Sequence, residues 1–331
     1  MADRPPKPVI LDTDPGIGTP GSDVDDGLAI ALGLLHPGCS LRGLTIVAGN
    51  VVQEEGVPNA LRLLEIAGRT EVPVVPGAER PLWRDPRPIR EWIAARRQRS
   101  IERFWDLGAF PAPTTAPARI RAAEFIADTV RARPGEVTIV AIGPCTNVAA
   151  ALLLDPAVAR SVAEIVVMGG AIAAGGLVNP AVEFNIGYDP EAAAVVLGSG
   201  APVTLVPLDV TTRTYMTARD LDRIAGGGTP LHEFLAKTSR PWLRFATEMR
   251  DLRGFWLHDP LALAYALDPA ILAFTPMHVA VELAGTWTAG HLLGYPESAR
   301  FLAPAPGPVN ARVAMEVDEP RFMDMFLKTL G

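Results

Sequence analysis

Along this chain, short β-branched apolar runs alternate with longer segments whose apolar residues recur at helical spacing. Pro8 to Leu11, Leu41 to Ala48 and Val72 to Val75 read as strands, with helices over Val24 to Leu35 and Glu54 to Ala67. A helical stretch over Ala118 to Arg131 precedes a strand at Val137 to Ile142 and a helix at Thr146 to Leu154. Glu164 to Met168, Val203 to Val206 and Met277 to Leu283 are further strands. Helices at Glu191 to Leu197, Thr217 to Ile224 and Leu231 to Met249 lie between them. Apolar strands alternating with helices require crossover connections, which predicts an α/β fold with a mainly parallel central sheet flanked by helices. In such sheets ligands bind beyond the carboxyl ends of the strands. The segment Pro81 to Pro117 departs from the pattern. It is Arg- and Pro-rich with poor periodicity, and predicts an irregular excursion beside the site within one domain spanning residues 1–331.

Polar residues concentrate where the first strand ends. The stretch Val9 to Ile30, VILDTDPGIGTPGSDVDDGLAI, carries Asp12 and Asp14, then Asp23, Asp25 and Asp26. Carboxylates gathered beside a buried strand repel one another unless a positive charge sits among them. A helix N-terminus accounts for Asp25 or Asp26, but leaves Asp12 and Asp14 unexplained. A hard cation, which takes carboxylate and carbonyl oxygens, accounts for the whole set. Three other stretches place polar groups at strand ends or helix starts: Val47 to Asn50, Val137 to Asn147, and Trp256 to Pro260 with His258 and Asp259. Each also has an ordinary structural explanation, Asn50 as a turn residue and Asp259 as a helix N-cap ahead of Pro260.

Composition narrows the class. With 331 residues and 49% hydrophobic content the chain can bury a large core, and a formal charge of −7 argues against a nucleic-acid backbone or an anionic membrane as partner. Cys39 and Cys145 lie far apart and match neither a zinc spacing nor a disulfide framework. No apolar segment of signal-peptide length precedes the acidic loop, and no apolar run reaches membrane length uninterrupted. The expectation is a soluble, cytoplasmic protein.

Six motifs occur in order: DTDPG (Asp12 to Gly16) followed by Asp25-Asp26, Gly49-Asn50, IGPCTN (Ile142 to Asn147), MGG from Met168, EFN from Glu183, and HDP from His258. In these the chain resembles the inosine-uridine-preferring nucleoside hydrolase family over nearly its whole length. The resemblance implies a Rossmann-like core and calcium-dependent hydrolysis of the N-glycosidic bond of ribonucleosides to ribose and free base. Water activated at the metal would attack through an oxocarbenium-like transition state. It assigns Asp14 as calcium ligand and general base, with Asp26, Asp259 and the backbone carbonyl of Ile142 as further ligands and Asp12 in support. Asp25 would hold the 2′-hydroxyl, with Asn50, Glu183 and Asn185 on the sugar and Met168 lining the ribose pocket. His258 would protonate the leaving base, and Phe255, Trp256, Trp83 or Trp105 could stack on it, aromatic residues in so apolar a chain being more often core. A homodimer or homotetramer working in nucleoside salvage is also implied.

This chain departs from the family pattern in three places. Eight residues, Ile17 to Val24, separate Gly16 from Asp25 where a single residue is typical. Gly18, Pro20 and Gly21 predict a bulged loop at the pocket mouth, with Asp23 capping the helix or facing solvent. In GGLVNP, Leu177 stands where relatives have a ribose-contacting Asn, with Asn179 as a nearby substitute. The stretch from Arg96 to Gly108 lacks the histidine many relatives carry, which leaves either an Arg or Trp105 to serve the base or a different substrate. Two rival readings stand beside the hydrolase. One is a haloacid-type phosphatase with Asp12 as nucleophile, against which Pro15 and the lack of a partner lysine motif argue. The other is a non-catalytic nucleoside- or sugar-binding relative, against which the retained Asp14, Asp25, Asp26 and Asp259 argue.

Overall fold

The computed structural model describes residues 5–299 and 306–331. Its strands are β1 (Lys7–Thr13), β2 (Cys39–Ile46), β3 (Val74–Pro76), β4 (Thr138–Ala141), β5 (Glu164–Met168), β6 (Val203–Val206), β7 (Tyr215–Met216), β8 (Phe255–Trp256), β9 (Leu272–Val281), β10 (Leu292–Pro296) and β11 (Ala311–Val317). Nine of them form one sheet in the order β10-β9-β11-β6-β5-β4-β1-β2-β3, and β7 pairs with β8 separately. From β3 across to β11 every pairing is parallel. The carboxyl ends of β1, β2, β4 and β5 therefore share one edge of the sheet. The expected strand at Met277 to Leu283 begins earlier, as β9, and runs antiparallel to both β10 and β11.

Side-chain alternation explains why both faces of this single-domain sheet are apolar. Val9 and Leu11 of β1, Val140 of β4 and Val166 of β5 pack on one side, with the helices α1 (Asp25–Leu35) and His258–Leu267. Ile10, Ile139 and Ile165 pack on the other, against the helices Ala122–Ala132 and Thr146–Leu154. At the end of β1 the same alternation sends Thr13 to the α1 side and Asp12 to the opposite one.

The Arg-rich excursion is not irregular throughout. After α2 (Gln53–Ala67) it contains α3 (Arg87–Phe104), which buries only Ile93, Ser100 and Phe104. So thin a stripe gives little helical periodicity in sequence. The C-terminal helix Glu319–Leu330 buries Phe322, Phe326 and Leu330, four residues apart, against the α1 side. No helix among the described residues is long and apolar enough to cross a membrane.

Candidate active site

The acidic cluster forms where three elements meet. Asp14 follows the end of β1, Asp25 and Asp26 open α1, and Asp259 lies in the first turn of the helix His258–Leu267. No side chain caps α1 or that helix, and Asp25, Asp26 and Asp259 stand in their first turns, where the helix dipole favours negative charge. One oxygen each from Asp25, Asp26 and Asp259 lie within 4.8 Å of one another. The Asp259 amide donates to Asp25 Oδ2 at 3.2 Å, tying the two helix starts together.

Asp26 is fixed from below. Thr13 Oγ1 donates to its Oδ1 at 2.5 Å, the Asp14 amide to the same oxygen at 3.1 Å, and Asn50 Nδ2 to its Oδ2 at 3.2 Å. Asn50 also donates its backbone N–H to Asp14 Oδ2 at 2.6 Å, while Asp14 Oδ1 is buried with no hydrogen-bond partner. Glycine is required beside it: a Cβ on Gly49 would stand 1.9 Å from Asp14 Oδ2. Burial raises the pKa of Asp14, Asp25 and Asp259 well above the usual carboxylate range. Repulsion adds to it, from Asp26 on Asp14, from Asp23 and Asp26 on Asp25, and from Asp25 and Asp26 on Asp259. Such a set of crowded, dry oxygens is one that a hard divalent cation satisfies.

Asp12 lies behind this cluster. It is fully buried, accepts from Thr45 Oγ1 at 2.5 Å and Asn147 Nδ2 at 2.8 Å, and is raised by burial to about 7. Walled in between β2 and the helix Thr146–Leu154, it has no access to a substrate, which removes the phosphatase nucleophile.

A cavity of about 270 Å³ opens above the cluster. Asp25, Asp259, Asn50, Ile142, Met168, Glu183 and Asn185 line its deep side. Asn185 donates its amide to the carbonyls of Ile142 (2.8 Å) and Met168 (3.1 Å), bridging the ends of β4 and β5. Glu183 caps the short helix Phe184–Tyr188 through Asn185 N (2.8 Å) and Ile186 N (3.0 Å), and also accepts from Gly170 N at 2.8 Å. His258 lines the cavity with Nδ1 2.7 Å from Thr211 Oγ1; burial and nearby Arg250 push it down to about 3, so the ring is neutral.

The outer wall differs from what the sequence suggested. Trp92, Trp242, Phe184, Phe245, Arg96, Arg250 and Leu177 form it, and none of Phe255, Trp256, Trp83 or Trp105 does. Phe255 is core, Trp83 is 86% exposed, and Trp256 packs behind His258 at 5.5 Å. Phe184 was present in the EFN motif, but Trp92 and Trp242 sit on helices whose inward side no motif marks. The N-cap residue of α1 is Val24 and not Asp23; Asp23 accepts from Val24 N at 2.7 Å, is half-buried, and joins the cavity wall with Arg96 and Arg250. Asn179 does not replace the missing amide. Its Oδ1 accepts from Ala181 N at 2.8 Å and its Nδ2 reaches Trp287 O at 3.3 Å, both within its own turn and a neighbouring loop.

The inserted loop is a buttress rather than a lip. Ile17 is fully buried, Asn59 of α2 donates to Pro15 O (2.9 Å) and Thr19 Oγ1 (2.7 Å), and Arg97 of α3 donates to Pro20 O (3.2 Å). Gly21, at φ +71°, lies so close to α3 that a Cβ there would be 2.6 Å from Arg97 O.

This arrangement of acids, amides and strand ends has known counterparts. The profile described as inosine-uridine preferring nucleoside hydrolase matches residues 9–324. The chain belongs to that family. It is thus an enzyme, a hydrolase acting on N-glycosyl compounds. It is 36% identical to the pyrimidine-specific ribonucleoside hydrolase RihA of Escherichia coli over 324 residues, 98% of each chain. It is 34% identical to the probable uridine nucleosidase 2 of Arabidopsis thaliana over 330 residues, 98% of this chain and 97% of that one. Among solved structures it superposes on a purine-preferring ribonucleoside hydrolase from Gardnerella vaginalis with a TM-score of 0.85, at 34% identity and 98% coverage of both.

Proposed function

We propose that this enzyme is a divalent-cation-dependent ribonucleoside hydrolase, calcium being the ion the family resemblance favours. The observation that carries the reading is the convergence of Asp25, Asp26 and Asp259 within 4.8 Å, beside the unpartnered Oδ1 of Asp14, at the base of a cavity. Asp14, Asp26, Asp259 and the carbonyl of Ile142 would hold the ion. When bound it would offset the carboxylate repulsion and acidify water. Asp14 takes the proton from the attacking water, since its free oxygen has no other partner. Asp25, the cavity-lining acid of α1, takes the 2′-hydroxyl, with Asn50, Glu183 and Asn185 on the other sugar oxygens and Met168 against the ring. The ring of carboxylates favours the positive charge that develops at C1′. His258 meets the leaving base as a neutral imidazole oriented by Thr211.

Nucleoside salvage in a cytoplasm, as a homodimer or homotetramer, completes the proposal. The named relatives include pyrimidine-specific and purine-preferring enzymes, so the choice of base rests on this chain's own outer wall. The test is reducing-sugar release from a panel of purine and pyrimidine nucleosides by the purified protein with calcium. Release of ribose from at least one is expected; none from any would end the reading, and tight binding without release would favour the non-catalytic relative.

A further inference from the structure

Helix α3 delivers a cation to the cavity that the protein itself leaves unsatisfied. Arg96 lines the cavity, and its Nε and Nη2 are buried without a hydrogen-bond partner. Its guanidinium carbon lies 5.2 Å from the ring centre of Trp92 and 5.6 Å from that of Trp242, so two indoles hold the plane. The neighbouring Arg97 is treated differently: it pairs with Glu55 at 2.9 Å and grips the inserted loop. Asp23 balances part of the Arg96 charge without occupying either Nε or Nη2. Buried donors in native proteins nearly always have acceptors, so an unpartnered pair on a cavity-lining side chain points to a ligand.

Nε–H and Nη2–H share one edge of the planar guanidinium and form a fork that a single oxygen with two in-plane lone pairs can occupy. A 2-oxopyrimidine joined to ribose through N1 offers such an oxygen, O2, beside the bond that breaks. As the C1′–N1 bond breaks the base becomes an anion, and its charge is shared with O2 through C2. Hydrogen bonds that strengthen at that point stabilise the transition state over the bound substrate.

We propose that Arg96 receives the departing base, and that the substrates are nucleosides of 2-oxopyrimidines such as uridine. This rests on the hydrolase reading above. The C1′–N1 bond breaks with its electron pair going to N1, and the water oxygen bonds C1′ as its proton passes to Asp14. Arg96 keeps its own protons throughout, and the base anion ends neutral with the proton the water gave up.

The test compares uridine with 4-nitrophenyl β-D-ribofuranoside, whose phenolate departs without hydrogen-bond help, in wild type, Arg96→Gln and Arg96→Lys. Wild type should hydrolyse uridine at least about tenfold faster than inosine. Arg96→Gln should lose about 10²-fold or more in kcat on uridine, and far less on the nitrophenyl riboside. Arg96→Lys keeps a cation between the indoles but not the fork, so it should recover part of the uridine rate, and it keeps the test open if the Gln variant folds poorly. Equal losses on both substrates, no loss on uridine, or a wild-type preference for inosine would overturn the proposal. Wild-type inactivity on uridine, inosine and the nitrophenyl riboside alike would instead bring down the hydrolase reading, and this proposal with it.

Discussion

The floor and the outer wall of this cavity are built by different means. In the floor, every acid is held by backbone or short side chains at the ends of β1 and β2 and the starts of two helices: Thr13 on Asp26, Asn50 on Asp14, Asp259 N on Asp25. The wall is assembled from α3 and the helix Pro230–Met249, and is held by ring stacking, a guanidinium between indoles and a buttressing loop. Groups fixed at strand ends are placed to within hydrogen-bond tolerance, which bond-breaking chemistry requires. Groups on helices that touch through side chains can be exchanged without disturbing the sheet. The floor thus suits the common chemistry and the wall the choice of base.

Breaking the floor should have the largest effect. Asp14→Asn keeps the shape and the Asn50 contact but loses the proton acceptor. Turnover should fall about 10²- to 10⁴-fold, while circular dichroism and Tm show an intact fold. A loss below tenfold would remove Asp14 from the base role.

The next prediction concerns repulsion in the floor. Burial and mutual repulsion raise the pKa values of its acids, and Asp12 behind it rises from 3.8 to about 7. Between those values the folded state binds more protons at these four acids than the unfolded chain does, and together they outweigh the opposite contribution of the neutral His258, so stability falls as pH rises through this window. Chelated protein should therefore have a Tm lower at pH 7.5 than at pH 5, by about 5 °C or more, and added calcium should remove most of the difference at the higher pH. A chelated Tm that rises over this range would show that the acids do not repel as placed.

Disturbing the wall should cost less and show elsewhere. Gly21→Ala puts a Cβ against Arg97 O at a positive φ, a strain of about 1–3 kcal/mol. The expected outcome is a lower Tm and a severalfold higher KM for nucleoside, with kcat within about threefold of wild type on the scale of ordinary positioning effects. A kcat collapse would mean that the loop supports the floor instead. The smallest effect is expected from Asn179→Ala, since both amide atoms are engaged away from the cavity. Its KM and kcat should stay within about twofold of wild type, as for substitutions away from a site; a large KM change would restore it as a sugar contact.

The same division governs what could be read from sequence. β5 and β6 were legible to the residue because buried parallel strands read as short runs dominated by apolar and β-branched residues, here EIVVM and VTLV. The floor residues were legible because each belongs to a short motif at a strand end, where spacing along the chain fixes position in space. Trp92 and Trp242 were not, and which arginine of the stretch Arg96 to Gly108 reaches the cavity was not either, because their meeting depends on how two distant helices pack. The buttressing role of Ile17 to Val24 was hidden for the same reason: a Gly- and Pro-rich stretch reads as an exposed bulge, yet here Ile17, Gly21 and Ser22 are buried against neighbouring elements.

The separability of floor and wall is tested most directly by the calcium content of the protein after dialysis against the ion. Wild type and Arg96→Gln should each retain one ion per chain, and Asp26→Asn should retain far less. Equal content in all three, or none in wild type, would contradict a floor that holds the metal independently of the wall.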